Sequence, residues 1–76
     1  MSAERHMLVV YDITNERRRA KARAVILQYL TAIQESAFEG RLSPTELRDM
    51  RARLERIVAP EEDRLTIFHM ARASTA

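Results

Sequence analysis

A short apolar run at residues 8–11 ends in Asp12, and a basic segment begins soon afterwards at Arg17. A run of this length with two adjacent valines predicts a buried β-strand, which we place at residues 6–13. A carboxylate at the end of a central strand lies at the rim of the sheet, where functional sites are commonly built. Any fold for this chain must therefore lead a buried strand directly into a charged segment.

The size of the chain and its lack of cysteine restrict how such a fold can be stabilised. Seventy-six residues make one small domain, and a domain of that size buries only about 60% of the surface of its unfolded chain. Without cysteine, neither a disulfide nor a thiolate–zinc site is available. The remaining common way to stabilise such a small domain is association with a second copy, and we therefore expect a homodimer.

The chain has none of the sequence features of a membrane or secreted protein. Its longest apolar runs fall well short of the roughly 20 residues of a membrane span. The residues before Met7 lack the apolar core of a signal peptide. We therefore expect a cytoplasmic protein with no membrane partner.

The segment after Asp12 predicts an amphipathic helix that ends at about Leu30. Thr14 or Asn15 can cap its N-terminus. Its apolar stripe, at the spacing of an α-helix, comprises Ala22, Val25, Ile26 and Tyr29. Arg18 lies on that same stripe, so its guanidinium either emerges into solvent past the core or points towards Asp12 at the rim.

The middle of the chain predicts β-structure followed by a second helix. Residues 32–42 favour one or two short strands with a break near residues 35–36. Within them, Gly40 marks a bulge or a close approach of two backbone segments. The next helix has a strongly marked start, with an N-cap, a first-turn proline and a capping box formed by Ser43, Pro44 and Glu46.

The second helix is followed by a turn and a final strand. Apolar residues at helical spacing continue until Ala59 and Pro60, which end the helix. We interpret the acidic turn at residues 61–63 as a solvated loop. Residues 64–70 alternate and predict a strand, and residues 71–76 form a small polar tail that we expect to be frayed.

Three titratable residues stand apart from these patterns. Glu39 is a carboxylate beside apolar residues, and we expect it to form a structural ion pair with Arg41 or Arg18. His6 and His69 are isolated in the sequence, and we interpret each as a strand-face residue rather than a ligand or general base.

The order strand, helix, one or two strands, helix, strand predicts an α+β protein. It is typical of the ferredoxin-like split βαβ fold (βαββαβ), an antiparallel sheet with two helices on one face. Residues 1–76 make a single domain, with the core at about residues 6–70.

Several residues on these elements have an order and a spacing that also occur in a known protein family. They are Tyr11, Asp12, Ile13, Arg18, Lys21, Tyr29 and the segment Gln-Glu-Ser-Ala-Phe-Glu-Gly at 34–40. In this respect the chain resembles the CRISPR-associated protein Cas2 family, whose members are the small partners of the integrase Cas1 in spacer acquisition. The likeness extends from about residue 7 to residue 70, which is nearly the whole chain.

The resemblance implies a homodimer in which Asp12 binds Mg²⁺ or Mn²⁺ jointly with Asp12 of the second copy. Such hard cations prefer several oxygen ligands, and a two-fold axis near Asp12 would supply two carboxylates from one position. The family is described as metal-dependent nucleases on RNA or DNA, which makes Asp12 the candidate catalytic residue. Family members also bridge integrase dimers and hold duplex prespacer DNA. From the residues alone, the favoured interpretation of Asp12 is a strand-end residue that caps the following helix, and only the resemblance favours metal binding.

The chain departs from the family pattern in three places. Leu30 stands where the family usually has glycine after the helix-ending tyrosine. Thr31 and Ala32 stand where basic residues usually occur, which removes cations from one part of the surface. Family members commonly continue beyond the position of Met70 into another strand that docks on the partner protomer or on the integrase. We expect that strand to be short or absent here.

The cations of the first helix predict a phosphate-binding surface. Twelve of the thirteen basic residues are arginines, whose planar fork matches phosphate oxygens, although a GC-rich genome alone would also favour arginine codons. The candidate nucleic-acid contacts are Arg17, Arg18, Arg19, Lys21 and Arg23. Because the aromatic residues are committed to the core, we expect binding of duplex DNA by shape and charge without sequence readout. The alternative is a solvated helix face, since Glu16 and the acids of the second helix dilute the positive charge.

Three functions remain open at this point. The first is a DNA-bridging subunit of CRISPR adaptation that also acts as a metal-dependent endonuclease. The second is a stand-alone metal-dependent endoribonuclease, a toxin-like relative with RNA as its substrate. The third is a ferredoxin-like dimerisation module without nucleic acid, because fold analogy alone does not determine function.

Overall fold

The computed structural model describes residues 3–70, which form four strands and two helices. The elements are β1 (Arg5–Asp12), α1 (Glu16–Ile26), β2 (Thr31–Gln34), β3 (Ala37–Leu42), α2 (Pro44–Glu55) and β4 (Arg64–His69). The strands make one antiparallel sheet in the order β2-β3-β1-β4. This arrangement confirms the predicted α+β, ferredoxin-like fold. The tail at residues 71–76 lies outside the described residues.

Buried and more exposed side chains alternate along β1, so one face of the sheet is covered and the other is open. Met7, Val9 and Tyr11 are buried and belong to the same core cluster as Ile26 of α1 and Met50 of α2. The intervening residues of β1 are only half-buried or exposed. The helices therefore cover one face, and none of those between residues 3 and 70 is long and apolar enough to cross a membrane.

The open face carries apolar side chains in neighbouring strands. Leu8 and Val10 of β1 lie opposite Phe68 and Thr66 of β4 in the antiparallel register. Phe68 is 47% exposed despite its size, so the expectation that the aromatic residues are committed to the core is wrong for Phe68. Facing residues in a strand pair project on the same side, so these side chains form one patch on the uncovered face.

The helix starts match the predictions, whereas both helices end earlier than predicted. Asn15 caps α1, with its side chain accepting from the N–H of Arg18 at 2.9 Å. The last residues are Ile26 in α1 rather than about Leu30, and Glu55 in α2 rather than a position near Pro60. Beyond each end some N–H groups, such as those of Gln28 and Ile57, donate to carbonyls three residues back, a tighter winding in which the α-helix ends.

Gly40 lies at a close backbone approach and not at a bulge. A Cβ atom added there would meet the Cδ2 atom of Leu30 at 3.0 Å. The register of the sheet shifts instead in β2, between Ala32 and Gln34. The prediction of two short strands with a break at residues 35–36 is confirmed.

Glu39 contacts His6 rather than an arginine, so the predicted pairing with Arg41 or Arg18 is wrong. The contact joins His6 Nε2 to Glu39 Oε1 across β1 and β3. His6 directly faces Arg41 in the register, and Glu39 is its diagonal neighbour on the same face. Arg41 instead lies 3.8 Å from the carboxylate of Glu4.

Candidate nucleic-acid interface

Asp12 is the last residue of β1, and its exposed side chain lies on the open face of the sheet. In the register of β1 and β4 it faces Arg64, which is also exposed. Opposite charges in such facing positions stabilise a strand pair by about 0.2–1 kcal/mol. The structure thus places Asp12 at the rim as predicted, beside a cation that sequence reasoning missed.

Tyr11 anchors the end of β1 from the buried side. Its N–H donates to the carbonyl of Ser36 at 3.1 Å, and its hydroxyl donates to the carbonyl of Glu35 at 3.2 Å. Its ring packs on Phe38 with 5.6 Å between the centroids. These contacts tie the strand end to the turn between β2 and β3, so the backbone that carries Asp12 is held in place.

Two arginines of α1 are held by backbone carbonyls. Arg19 donates from Nη1 to the carbonyls of Ile13 at 3.0 Å and Thr14 at 3.2 Å, in the loop after β1. Arg23 donates from Nη1 to the carbonyl of Glu35 at 2.7 Å. A guanidinium has five N–H donors, so both groups are oriented while keeping further donors for an anion.

Arg17 and Lys21 lie one helical turn apart on the exposed side of α1. Neither takes part in the ion pairs formed within residues 3–70. We use the name α1 basic surface for Arg17 and Lys21 together with the oriented Arg19 and Arg23. The structure places these four predicted residues on one helix, with Arg17 and Lys21 on one side of it and Arg19 and Arg23 on another, because residues two positions apart do not face each other.

Arg18 differs from the other four because two carboxylates bind it. Its guanidinium pairs with Asp63 at 2.8 Å and with Glu62 at 3.1 Å. The hydrogen bond to Asp63 raises the pKa of Arg18 despite the desolvation of its side chain. The guanidinium therefore points to the segment before β4 rather than to Asp12, and a phosphate would compete with these two acids.

The interpretation of residues 61–63 as a solvated loop is wrong for Asp63. That residue is only 9% exposed, and its carboxylate also accepts from the N–H of Ala59 at 2.8 Å. Sequence reasoning missed Asp63 as the partner of Arg18. The available signal was Arg18 itself, because a cation on an apolar helix stripe needs a buried acid or an exit to solvent.

A single copy of the chain offers one carboxylate at the rim. Within residues 3–70 no three side chains of His, Cys, Asp or Glu come together as a metal-binding group. Mg²⁺ and Mn²⁺ prefer several oxygen ligands. Asp12 therefore fits such an ion only if another molecule contributes a second carboxylate.

Comparison with known proteins gives consistent matches. The family model for CRISPR associated protein Cas2 matches residues 5–76. A protein of Thermodesulfovibrio yellowstonii named CRISPR-associated endoribonuclease Cas2 is 35% identical over 63 residues, which cover 83% of this chain and 68% of that protein. A Cas1/Cas2 endonuclease fusion of Thermoproteus tenax is 39% identical over 64 residues, which cover 83% of this chain and 24% of the fusion.

The fold is also found in solved structures. The crystal structure of a hypothetical protein from Thermus thermophilus superposes with a TM-score of 0.88 at 33% identity. The superposition covers 92% of this chain and 85% of the other. The crystal structure of a cas2 protein superposes with a TM-score of 0.81 at 36% identity over 87% of this chain and 74% of the other, so sequence and structure indicate the same family.

Proposed function

Because the chain belongs to the CRISPR-associated protein Cas2 family, we propose that it is an adaptation subunit that binds duplex prespacer DNA and bridges dimers of the integrase Cas1. The observation that carries the proposal is the α1 basic surface, in which carbonyls orient Arg19 and Arg23 on one side of the helix and Arg17 and Lys21 are exposed on the other side. An oriented guanidinium loses less conformational entropy when it binds a phosphate. Contacts to phosphates position a duplex without reading its sequence.

Bridging requires two copies of the chain, and we propose that they meet through the open face of the sheet. Phe68 and Met70 are 47% and 43% exposed at the end of that face, and the apolar Leu8 and Val10 lie beside them. A second copy that covers such a patch removes apolar surface from water. A two-fold axis near Asp12 would also place two α1 basic surfaces on one dimer.

The salt dependence of duplex binding tests the phosphate-binding surface. Each lost phosphate contact lowers the slope of log affinity against log salt by about 0.9. We expect the double variant Arg17→Ala/Lys21→Ala to lose up to two such contacts. Arg56→Ala is the matched control, because Arg56 is an exposed arginine outside the α1 basic surface. Absence of salt-dependent binding to DNA or RNA would favour the dimerisation module without nucleic acid.

Co-purification with Cas1 tests the bridging role. The Thermoproteus tenax fusion carries Cas1 and Cas2 in one chain, which supports the choice of partner. We expect a Cas1 integrase from the same genome to be retained by tagged protein, and duplex DNA to increase the retained amount. Retention that duplex DNA leaves unchanged would contradict shared binding of the duplex.

A second proposed function is metal-dependent endoribonuclease activity at Asp12. It is favoured by the name of the Thermodesulfovibrio yellowstonii relative and by the exposed carboxylate beside Arg64. When bound between two copies, Mg²⁺ or Mn²⁺ supplies Lewis-acid activation of a phosphodiester. Asp12 would hold the ion, and the exposed Arg64 that faces it would be available to a phosphate oxygen.

RNA cleavage with and without chelator tests this activity. We expect cleavage to require Mn²⁺ or Mg²⁺ and to disappear in Asp12→Asn, while duplex binding through the α1 basic surface persists. Cleavage that survives in Asp12→Asn would assign the activity to a contaminant. Loss of cleavage with normal Cas1 retention would separate the catalytic role from the bridging role.

A further inference from the structure

Three arginines line a groove at the end of the sheet opposite Asp12. Arg5 begins β1, while Arg48 and Arg51 lie three positions apart on α2 and so project from the same side of the helix. The groove has a volume of about 350 Å³. Because Arg5 and Asp12 are the two ends of β1, this groove and the candidate rim site are separate.

The floor of the groove is apolar. It is formed by the buried Leu42 at the end of β3, the half-buried Leu47 of α2 and the exposed Pro44. No aromatic ring lines it. A concave apolar floor with a few charged groups at its margin is typical of a site for a ligand with both apolar and charged parts.

The positive charge of the groove is not balanced within the chain. All eleven acidic residues lie inside the described range, and none of them lines the groove. None of the ion pairs formed within residues 3–70 includes Arg5, Arg48 or Arg51. Other arginines, such as Arg18 and Arg41, do pair with acids. The three exposed guanidinium groups form no ion pair within residues 3–70, so they are available to the carboxylates of another molecule.

At the N-terminus of α2, beside the groove, two backbone N–H groups are already hydrogen-bonded within the chain. The N–H of Ser43 donates to Glu46 Oε1 at 2.8 Å, and the N–H of Glu46 donates to Ser43 Oγ at 3.1 Å. This capping box satisfies two of the N–H groups that could otherwise attract an anion. Recognition at this site thus depends on the arginines and the apolar floor.

We propose that the groove formed by Arg5, Arg48 and Arg51 binds an acidic peptide segment of a partner protein. An aliphatic side chain of the segment lies on the floor at Leu42 and Leu47, and its carboxylates pair with the guanidinium groups. Charge complementarity of this kind guides and selects a partner. Nucleic acid fits less well, because its phosphates do not need an apolar floor and its bases stack on aromatic rings.

Titration of the ¹⁵N-labelled full chain with a blocked peptide, Glu-Asp-Leu-Asp-Glu, tests the proposal by NMR. We expect backbone amide shifts at Leu47, Arg48 and Arg51 and none on the α1 basic surface. The uncharged peptide Gln-Asn-Leu-Asn-Gln and the anchorless Glu-Asp-Ser-Asp-Glu should each bind more weakly. The double variant Arg48→Glu/Arg51→Glu should weaken binding about tenfold, given modest contributions of exposed ion pairs.

Arg56→Glu reverses one charge outside the groove, half the charge change of the double variant, and should leave peptide affinity within about twofold. If the glutamate variants lose their NMR dispersion, Arg48→Gln and Arg51→Gln provide a milder removal of charge with the same expected direction. Absence of peptide binding at millimolar concentration overturns the proposal. So does a short DNA duplex that shifts the groove amides and competes with the peptide, since the groove would then be a nucleic-acid site.

Discussion

Arg18 and Asp63 form a two-point ion pair that joins α1 to the segment before β4. Arg18 donates from Nε to Asp63 Oδ2 at 2.8 Å and from Nη2 to Oδ1 at 3.2 Å. The side chain of Asp63 has no exposed surface, whereas that of Arg18 is 24% exposed. Because 45 positions separate the two residues, the pair links parts of the fold that local structure does not connect.

The pair predicts a specific loss of stability in acid. The hydrogen bond from Arg18, and after it the bond from the Ala59 N–H, lower the pKa of Asp63 below its usual 3.8, although burial acts in the opposite direction. A carboxyl whose pKa is lowered by folding stabilises the protein above its unfolded value, and this contribution disappears as pH falls through the folded value. We expect the free energy of unfolding, measured with urea, to fall as the pH drops below about 4.

Asp63→Asn should be less stable than the parent at neutral pH and should show a flatter pH dependence below about 4. Glu55→Gln is the control, because Glu55 is exposed and forms none of the ion pairs within residues 3–70. Its profile should follow that of the parent. Parallel profiles for the parent and Asp63→Asn would show that another carboxyl group determines acid stability.

The close contact between Gly40 and Leu30 limits the size of the side chain that position 40 of β3 can accept. Gly40→Ala replaces a flexible strand residue, which favours folding by about 0.5–1 kcal/mol. Its Cβ would nevertheless lie 3.0 Å from Leu30 Cδ2, so we expect a net change within about 1 kcal/mol. Gly40→Val is larger and should destabilise the fold by about 1–3 kcal/mol in urea denaturation.

Leu30→Ala provides the matched test of this limit. It should reduce the cost of Gly40→Val, because the shorter side chain makes room for the added methyl groups. The two substitutions should therefore be coupled in a double-mutant cycle. Strictly additive effects would show that Leu30 does not set the limit at Gly40.

The capping box predicts the cost of removing a single hydroxyl. Ser43→Ala deletes the acceptor of the Glu46 N–H at the start of α2, and we expect a loss of about 0.5–2 kcal/mol of unfolding free energy. Thr45→Ala, an exposed change in the same helical turn, should stay within about 0.5 kcal/mol of the parent. Equal effects of the two substitutions in urea denaturation would contradict a specific role of the cap.

Local sequence patterns correctly predicted the strand and the helix start, because both are determined by residues close together in the sequence. The strand predicted at residues 6–13 and the helix start at Ser43 follow from short-range apolar spacing and capping, and the structure has the strand at Arg5–Asp12 and the cap at Ser43. The ends of the helices were predicted too late, because apolar spacing continues through the tighter turns that follow Ile26 and Glu55. Such turns bury the same side chains as an α-helix would, so the pattern does not distinguish them.

Partners that are distant in sequence could not be predicted from spacing alone. The sequence around Asp63 is typical of a solvated acidic turn, but the fold places Asp63 against Arg18. Arg64 became a neighbour of Asp12 only through the pairing of β1 with β4. The roles of Asp63 and Arg64 depend on strand register and packing. These are set by the complete fold and not by the residues next to them in the sequence.

The adjacent residues Arg17 and Arg18 allow binding and stability to be separated. Arg17 is exposed, and we expect Arg17→Ala to lower the salt slope of duplex binding by about 0.9 and to change stability by less than about 0.5 kcal/mol. Arg18→Ala leaves the buried carboxylate of Asp63 without its cation, so it should lower the thermal midpoint. Below that midpoint, its salt slope should equal that of the parent.

Fluorescence anisotropy with a labelled duplex at several salt concentrations measures the slopes, and thermal denaturation measures the midpoints. The double variant Arg18→Met/Asp63→Asn removes both charges and should recover part of the stability lost in Arg18→Ala, because no unpaired buried charge remains. A salt slope that falls equally in Arg17→Ala and Arg18→Ala would show that the Arg18 guanidinium leaves Asp63 to bind phosphate. Arg18 would then be part of the nucleic-acid surface rather than of the framework that supports it.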